Sequence, residues 1–251
     1  MGKKTVSLVL SSGGARGMAH IGAIEALEEK GYEIVSIAGC SAGALIGGIY
    51  ATGQLSKFKD WICNLDRIDV FSLMDFTLSS KGFIKGDKVF GELKKQIKDA
   101  PIEKLNIPFR CTAVEIPSGK EKIFDSGSMF DAIRASLSIP TVMTPAKIGK
   151  HEFIDGGIIN PIPFNLLDED HLGEIVIAVD LNGPKDVLLD VKNKDKKASA
   201  LKLPSWLKDY QKKFTNYFYS DEKAEKENKM KAMSSVELLN FSFDLLQDKL
   251  S

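Results

Sequence analysis

A serine between two glycines is the residue group best suited to chemistry in this chain. In the sequence GCSAG, Gly39 and Gly43 flank Ser41 directly after an apolar run at residues 34–38. A G-x-S-x-G pattern between a strand and a helix is typical of a nucleophile elbow, a sharp turn that exposes the serine hydroxyl. The N-terminus of the following helix would favour negative charge developing beside that hydroxyl. A glycine-rich turn without catalytic function could carry the same five residues, so this motif alone leaves both interpretations open.

A second glycine-rich turn precedes the elbow, and its residues are Ser12, Gly13, Gly14, Ala15, Arg16 and Gly17. It fits a dinucleotide-binding fingerprint poorly, because a serine replaces the first glycine and no acidic residue ends the next strand. It fits an oxyanion hole well, because backbone N–H groups free of large side chains can converge on an oxyanion beside Ser41. Each well-placed donor of that kind contributes about 3 kcal/mol.

A third motif, Asp155-Gly156-Gly157, follows a short predicted strand at residues 152–154. The two glycines free the backbone to turn, so the Asp155 carboxylate can be directed at a neighbouring strand end. A serine hydroxyl needs a base within hydrogen-bond reach to become a nucleophile. Asp155 is therefore a candidate for that base.

The usual base in such a site is a histidine oriented by an acid, but the three histidines are poorly placed for this task. His20 falls inside the first predicted helix, His151 precedes a short strand, and His171 lies in a charged loop. Packing or surface positions explain them better than catalysis does. The residues therefore favour a Ser–Asp dyad in which Asp155 takes the proton directly from Ser41.

The elements that must position these motifs alternate between strand and helix. Apolar patterning predicts strands at 5–10 and 34–38 and helices at 18–30 and 42–51. This rhythm predicts a three-layer α/β/α fold with a largely parallel central sheet. Ligands bind beyond the carboxyl ends of such strands, where the first two glycine-rich turns fall. Further strands are predicted at 109–115, 122–124, 152–154 and 174–180, and further helices at 87–98 and 129–137.

The composition excludes several classes of function. The 251 residues carry equal numbers of acidic and basic side chains, so no overall positive field indicates nucleic-acid binding. Cys40, Cys63 and Cys111 are an odd number without metal-ligand spacing, which predicts free thiols in a reducing compartment and no bound metal. The apolar stretch at 5–10 is too short for a signal peptide, and no run is long enough to span a bilayer. These features predict a cytoplasmic protein.

Taken together, the motifs S-G-G-x-R-G, G-x-S-x-G and D-G-G resemble the patatin-like phospholipase family. The resemblance covers residues 5–182, and the sequence RGMAHIG at 16–22 resembles the bacterial members. It implies a patatin-like acyl hydrolase domain that acts on lipid esters and needs no metal or other cofactor. It assigns Ser41 as the nucleophile and Asp155 as the proton acceptor. The oxyanion hole would be formed by the amides of Gly13, Gly14 and Ala15.

The other motif positions have less specific expectations. Arg16 matches a basic position of the family that could position the loop, meet a phosphate or form a structural salt bridge. Residues 136–140 resemble the family's segment that lines the site ahead of Gly156 and Gly157. Ser12 departs from the usual first glycine, and a positive φ there would cost about 1 kcal/mol. The chain also ends soon after a predicted apolar helix at 236–250, where bacterial members usually add another strand.

Residues 183–251 are predicted to form a lysine-rich loop and a helical C-terminal extension on or beside the catalytic domain. Within it, residues 204–219 place aromatic side chains at helical spacing with lysines on the other side. That pattern is typical of a helix lying on a bilayer, but also of a helix packed on a core or acting as a lid. The segment is therefore a candidate for peripheral membrane contact.

The leading hypothesis from the sequence is a serine acyl hydrolase that cleaves lipid esters, phospholipids in particular. One alternative is an esterase or thioesterase for small soluble acyl substrates. Another is a lipid-binding protein with weak activity, which the departure at Ser12 and the short C-terminus would suit. Retention of both Ser41 and Asp155 argues against that last alternative. The sequence leaves the oligomeric state open.

Overall fold

The computed structural model of the chain describes residues 2–65, 69, 73, 75–79, 82–116 and 118–183. The predicted segments at 204–219 and 236–250 lie outside these residues, so the division of the chain at residue 183 stays a prediction. In the part that is described, no helix is long and apolar enough to cross a membrane.

A seven-stranded sheet organises the described chain. Its strands are β1 (Thr5–Leu10), β2 (Glu33–Cys40), β5 (Phe109–Ile116), β6 (Glu121–Phe124), β8 (Ala146–Ile148), β9 (His151–Asp155) and β10 (Ile175–Val179). Their spatial order is β10-β1-β2-β5-β9-β8, with β6 paired to β5. A smaller sheet contains β3 (Phe76–Ser79), β4 (Gly82–Ile84) and β7 (Thr141–Met143).

The large sheet changes pairing direction across its width. Strands β10, β1, β2 and β5 pair in parallel, whereas β6 and β9 run antiparallel to β5 and β8 runs antiparallel to β9. A turn of two residues at 149–150 joins β8 to β9, which is too short for a parallel crossover. The predicted α/β class is confirmed, and the parallel pairing that the sequence predicts for most of the sheet lies in one half of it.

The α-helices whose bounds the structure describes are α1 (Ala19–Glu29), α2 (Ala42–Ala51), α3 (Leu55–Asn64), α4 (Asp87–Gln96) and α5 (Met129–Ser136). The prediction gave the bounds of β1 and α2 correctly and missed α3. Short 3₁₀ segments follow β1 at Gly14–Met18 and follow β9 at Gly156–Ile158.

Apolar side chains cover both faces of the sheet at its parallel strands. Leu8 and Leu10 point into the main core with residues of helices α1 to α5, while Val9 faces a smaller cluster with Ala38 and Leu166. A strand buried on both faces needs a nearly continuous apolar run, which residues 5–10 supply. The turns that leave the carboxyl ends of β1 and β2 therefore start from a rigid base, and both carry candidate site residues.

Candidate active site

Ser41 occupies a strained turn between β2, which ends at Cys40, and α2, which begins at Ala42. Its φ of 53° and ψ of −116° make it the one non-glycine residue with positive φ in the described part of the chain. Such a conformation costs about 1–3 kcal/mol and persists only where the surroundings hold it. This is the geometry of a nucleophile elbow, as the G-x-S-x-G motif predicts.

The two flanking glycines are required because backbone meets backbone here. A Cβ on Gly39 would lie 2.6 Å from the carbonyl oxygen of Gly43, and a Cβ on Gly43 would overlap the carbonyl oxygen of Leu10. Helix α2 therefore packs directly on the ends of β1 and β2. The side-chain oxygen of buried Ser136 accepts the backbone N–H of Ser41 at 2.8 Å, which further fixes the turn.

Asp155 ends β9 and lies beside Ser41. The hydroxyl of Ser41 donates to Asp155 Oδ2 at 2.6 Å, and the backbone N–H of Gly157 donates to Asp155 Oδ1 at 2.7 Å. The backbone N–H of Asp155 donates in turn to the carbonyl oxygen of Ser138 at 3.0 Å. Gly156 permits the turn, since a Cβ there would lie 2.5 Å from the carbonyl oxygen of Thr112.

Burial sets the acid strength of this carboxyl group. Asp155 is 3% exposed and Ser41 is 2% exposed. Burial raises the pKa of Asp155 to about 6, against the opposing effect of the hydrogen bonds from Ser41 and Gly157. At neutral pH the carboxylate is therefore ionised, yet it is a much better proton acceptor than an aspartate in water.

The loop at residues 12–17 packs against the elbow from the end of β1. A Cβ on Gly17 would lie 2.5 Å from the Cβ of Ala42, and Gly14 has a positive φ of 53°. Among the described residues, none accepts a hydrogen bond from the N–H groups of Gly13 and Gly14. Free N–H groups beside a nucleophile are what an oxyanion hole requires. That role for Gly13, Gly14 and Ala15 stays a prediction.

Ser12 is accommodated in this loop without the strain considered above. Its φ is not positive, its backbone N–H donates to the carbonyl oxygen of Pro161 at 2.8 Å, and it is buried. The side chain of Arg16 is oriented by an amide, because its Nη2 donates to Asn182 Oδ1 at 2.5 Å.

The three histidines make other contacts. His20 is fully buried, and its Nε2 lies 2.9 Å from the carbonyl oxygen of Ser11, while burial lowers its pKa. Exposed His151 pairs with Glu115, and exposed His171 lies 3.0 Å from Asp168 Oδ2.

No metal-binding cluster of three or more histidine, cysteine or acidic side chains occurs within the described residues.

The three motifs do not predict several of the contacts that the site makes. Asn182 and Pro161 contact the 12–17 loop from distant parts of the chain, and Cys40 Sγ lies 4.0 Å from Asp155 Oδ1. Burial raises the pKa of the Cys40 thiol well above its usual value, so it stays neutral beside the carboxylate. The segment at 136–140, expected from the family resemblance to line the site, does contact the backbones of Ser41 and Asp155.

Comparison with known proteins agrees with the motifs. The family model for patatin-like phospholipase matches residues 8–168. An NTE family protein of Mycobacterium tuberculosis is 40% identical over 178 residues, which are 71% of this chain and 49% of that protein. The lysophospholipase NTE1 of Kluyveromyces lactis is 32% identical over 191 residues, 73% of this chain and 13% of that protein. The chain thus spans about half the length of the first of these curated relatives, and less of the second.

The solved structures add a likeness of fold. VipD from Legionella pneumophila superposes with a TM-score of 0.54 at 16% identity, over 86% of this chain and 56% of that one. This likeness supports the predicted three-layer α/β/α architecture.

Proposed function

The chain belongs to the patatin-like phospholipase family, and from that premise we propose that it hydrolyses the carboxylic esters of lipids. Ser41 is the nucleophile and Asp155 the general base. The observation that carries this proposal is the 2.6 Å hydrogen bond from a serine hydroxyl in a strained turn to a buried carboxylate. A structural hydrogen bond would not need a serine held at positive φ, whereas a nucleophile elbow uses this conformation to place its hydroxyl at the end of the sheet.

The reaction proceeds in two halves. In the first, Ser41 Oγ attacks the ester carbonyl carbon while Asp155 Oδ2 takes the hydroxyl proton. The negative carbonyl oxygen of the tetrahedral intermediate is stabilised by N–H groups of the 12–17 loop. The bond to the alcohol then breaks, and that alcohol leaves with the proton from Asp155, so an acyl-enzyme remains on Ser41.

In the second half a water molecule replaces the alcohol. Asp155 accepts a proton from the water as its oxygen attacks the acyl carbon. Collapse of the second tetrahedral intermediate releases the fatty acid and returns the proton to Ser41. The raised pKa of Asp155 suits it to both directions of transfer, since an acid with pKa about 6 takes and gives protons readily near neutral pH.

The lipid part of the proposal rests on the family rather than on the dyad. The family is named for phospholipase activity, and one fungal relative is named a lysophospholipase. The dyad itself would serve any accessible ester. Two substrates therefore distinguish hydrolysis of lipid esters from hydrolysis of esters in general: a micellar lysophospholipid and a short soluble 4-nitrophenyl ester.

The test compares the purified chain with two variants, Ser41→Ala and Ser118→Ala. Ser118 lies exposed in the turn between β5 and β6 and controls for loss of a serine hydroxyl elsewhere. We expect fatty acid release from the lysophospholipid by the native chain and by Ser118→Ala, and none above background from Ser41→Ala. Hydrolysis of the soluble ester alone would refute the lipid assignment and support a soluble esterase. Equal activity in Ser41→Ala would refute the dyad.

Reversible docking on a lipid surface through residues 204–219 forms part of the same proposal, on sequence grounds alone. Replacing Trp206 and Phe214 with alanine removes two of its aromatic side chains. We expect weaker binding to anionic vesicles and lower activity on them, with hydrolysis of the short soluble ester preserved. Unchanged vesicle binding in a folded double variant would exclude this segment as the docking surface.

A further inference from the structure

The chain that leaves β10 lies against the 12–17 loop. The backbone N–H of Leu181 donates to Ser11 Oγ at 2.9 Å, and a Cβ on Gly13 would lie 2.6 Å from Leu181 Cδ1. These contacts join residues about 170 positions apart in the sequence. The loop therefore owes part of its shape to a segment that none of the three motifs includes.

Asn182 makes the most specific of these contacts, because its side-chain amide connects the two ends of the loop. Its Nδ2 donates to the carbonyl oxygen of Ser12 at 3.0 Å, and its Oδ1 accepts from Arg16 Nη2 at 2.5 Å. The asparagine is itself held, since its backbone N–H donates to Asp180 Oδ1 at 2.8 Å. With 7% of its surface exposed, it has little contact with solvent.

Within the loop, the backbone N–H of Arg16 donates to the carbonyl oxygen of Gly13 at 3.0 Å, and side chains between the two ends add little to this bond. Gly13 and Gly14 have no side chains, and Gly14 and Ala15 are exposed. Donors that stabilise an oxyanion must be fixed in position before the reaction, because a displacement of about 1 Å can cost about 100-fold in rate. The bonds from Asn182 to residues 12 and 16 therefore help to determine where the intervening N–H groups lie.

We propose that Asn182 is a positioning residue of the active site, which fixes the N–H groups of the 12–17 loop through hydrogen bonds to Ser12 and Arg16. This inference rests on the proposed function, since it assigns the loop to the oxyanion. Asn182 acts through the loop and does not itself touch the substrate. Its loss should lower kcat and leave KM nearly unchanged.

Two substitutions at this position and one control test the proposal. Asn182→Leu removes both bonds at similar volume, and Asn182→Asp keeps an acceptor for Arg16 while losing the donor to Ser12. Gln54→Leu is the matched control, because the amide of Gln54 also connects two segments, through the carbonyl oxygen and the N–H of Lys98. That bridge joins the α2–α3 connection to the chain just after α4, and it takes no part in the contacts of Ser41 or of the 12–17 loop.

For a soluble ester we expect kcat of Asn182→Leu to fall about 10- to 100-fold, with KM within twofold and Asn182→Asp in between. Gln54→Leu should lower the melting temperature without changing kcat. Native kcat in a folded Asn182→Leu would overturn the proposal. So would an equal fall of kcat in Gln54→Leu, since loss of any bridging amide would then have the same effect.

Hydrogen–deuterium exchange provides a measurement that does not depend on activity. The hydrogen-bonded amides of Ser12 and Arg16 should exchange faster in Asn182→Leu than in the native chain, and at the native rate in Gln54→Leu. If the native chain hydrolyses no ester, the proposed function fails, and the exchange result still decides whether Asn182 holds the loop. Unchanged exchange in Asn182→Leu would refute the positioning role even in an active enzyme.

Discussion

A hydrogen-bonded pair that includes one carboxylate lies at each end of strand β9, and the two pairs differ in burial and in the pKa of the carboxylate. At its start, exposed His151 pairs with Glu115 of the neighbouring strand β5, and hydrogen bonds from Ser118 and His151 hold the pKa of Glu115 below its usual value. At its end, buried Asp155 accepts from Ser41, and burial raises its pKa to about 6. By residue type, the histidine pair is the more familiar catalytic arrangement.

The difference shows that burial, more than the identity of the partner, makes a carboxylate a useful base. Water and hydrogen bonds stabilise the ionised form of Glu115, so it has little tendency to take a proton. Asp155 is buried, and the described residues hydrogen-bonded to its carboxylate are neutral. The same β5–β9 pairing thus supports a surface pair at one end and a buried pair, the proposed dyad, at the other.

Substitutions of the acidic residues at the two ends of β9 should differ most in their effect on activity. Asp155→Asn should lower kcat/KM by roughly 10³- to 10⁴-fold, because it removes the general base while keeping the side-chain shape. Glu115→Gln, the matched substitution at the other end, should leave kcat/KM within twofold. Ester hydrolysis by both purified variants checks this. A comparable loss in Glu115→Gln would mean that the surface pair contributes to catalysis.

The carboxylates at the two ends of β9 should also affect stability with opposite pH dependences, because their pKa values are shifted in opposite directions. The unfolded carboxyl of Asp155 ionises near 3.8 and the folded one at about 6, so the native state loses stability as pH rises through this window. Above pH 6 the ionised carboxylate destabilises the native state by roughly 3 kcal/mol. Asp155→Asn should therefore raise the free energy of unfolding by up to that amount at pH 8, and by much less near pH 4.

Glu115 should behave in the reverse sense. Its lowered pKa stabilises the native state above the usual pKa of glutamate, and this contribution disappears as pH falls through the folded value. Glu115→Gln should thus be less stable than the native chain at pH 7, with the difference shrinking in acid. Urea unfolding at several pH values measures both trends. Parallel trends in the two variants would contradict the account.

A smaller effect comes from the backbone of the elbow. Since Ser41 has a positive φ, glycine should fit this position with less strain than any side chain. We expect Ser41→Gly to be more stable than Ser41→Ala by about 1 kcal/mol, although both should be inactive. Equal stability of the two variants would show that the turn relaxes once the hydroxyl is removed.

The smallest effect concerns the exposed histidines. His151→Ala and His171→Ala should each retain most of the native kcat, because their hydrogen bonds go to surface carboxylates. Their free energies of unfolding should change by no more than about 0.5–1 kcal/mol. A folded His151→Ala as inactive as Asp155→Asn would restore a histidine to the mechanism.

Local patterns predicted much of the fold, and the motifs predicted that Ser41 and Asp155 lie close together. Alternation and β-branched residues at 5–10 predict β1, and small residues after the elbow predict α2, with the bounds that the structure has. Helix α3 was missed although Leu55 and Phe58 lie at helical spacing and are buried. The antiparallel half of the sheet was not predicted, because pairing direction depends on how distant strands meet.

The supporting contacts of the site could not be predicted for the same reason. Ser136 lies 95 residues from Ser41, and Asn182 lies 170 residues from Ser12. Ser136 falls in the segment 136–140 that the family resemblance places at the site, although no local pattern indicates its bond to Ser41, whereas Asn182 stands in no motif or period that would single it out. The motifs predict which groups react, whereas the groups that hold them come from tertiary contacts between distant segments.

The dyad is tested most directly by a fluorophosphonate probe, with the adduct located by mass spectrometry and the labelling rate followed against pH. We expect one adduct per chain, on the peptide containing Ser41, at a labelling rate that rises with pH through about 6 as Asp155 ionises. Ser41→Ala should not be labelled, and Asp155→Asn should label slowly and without that pH dependence. An adduct on another residue, or native labelling in folded Asp155→Asn, would contradict the Ser41–Asp155 dyad.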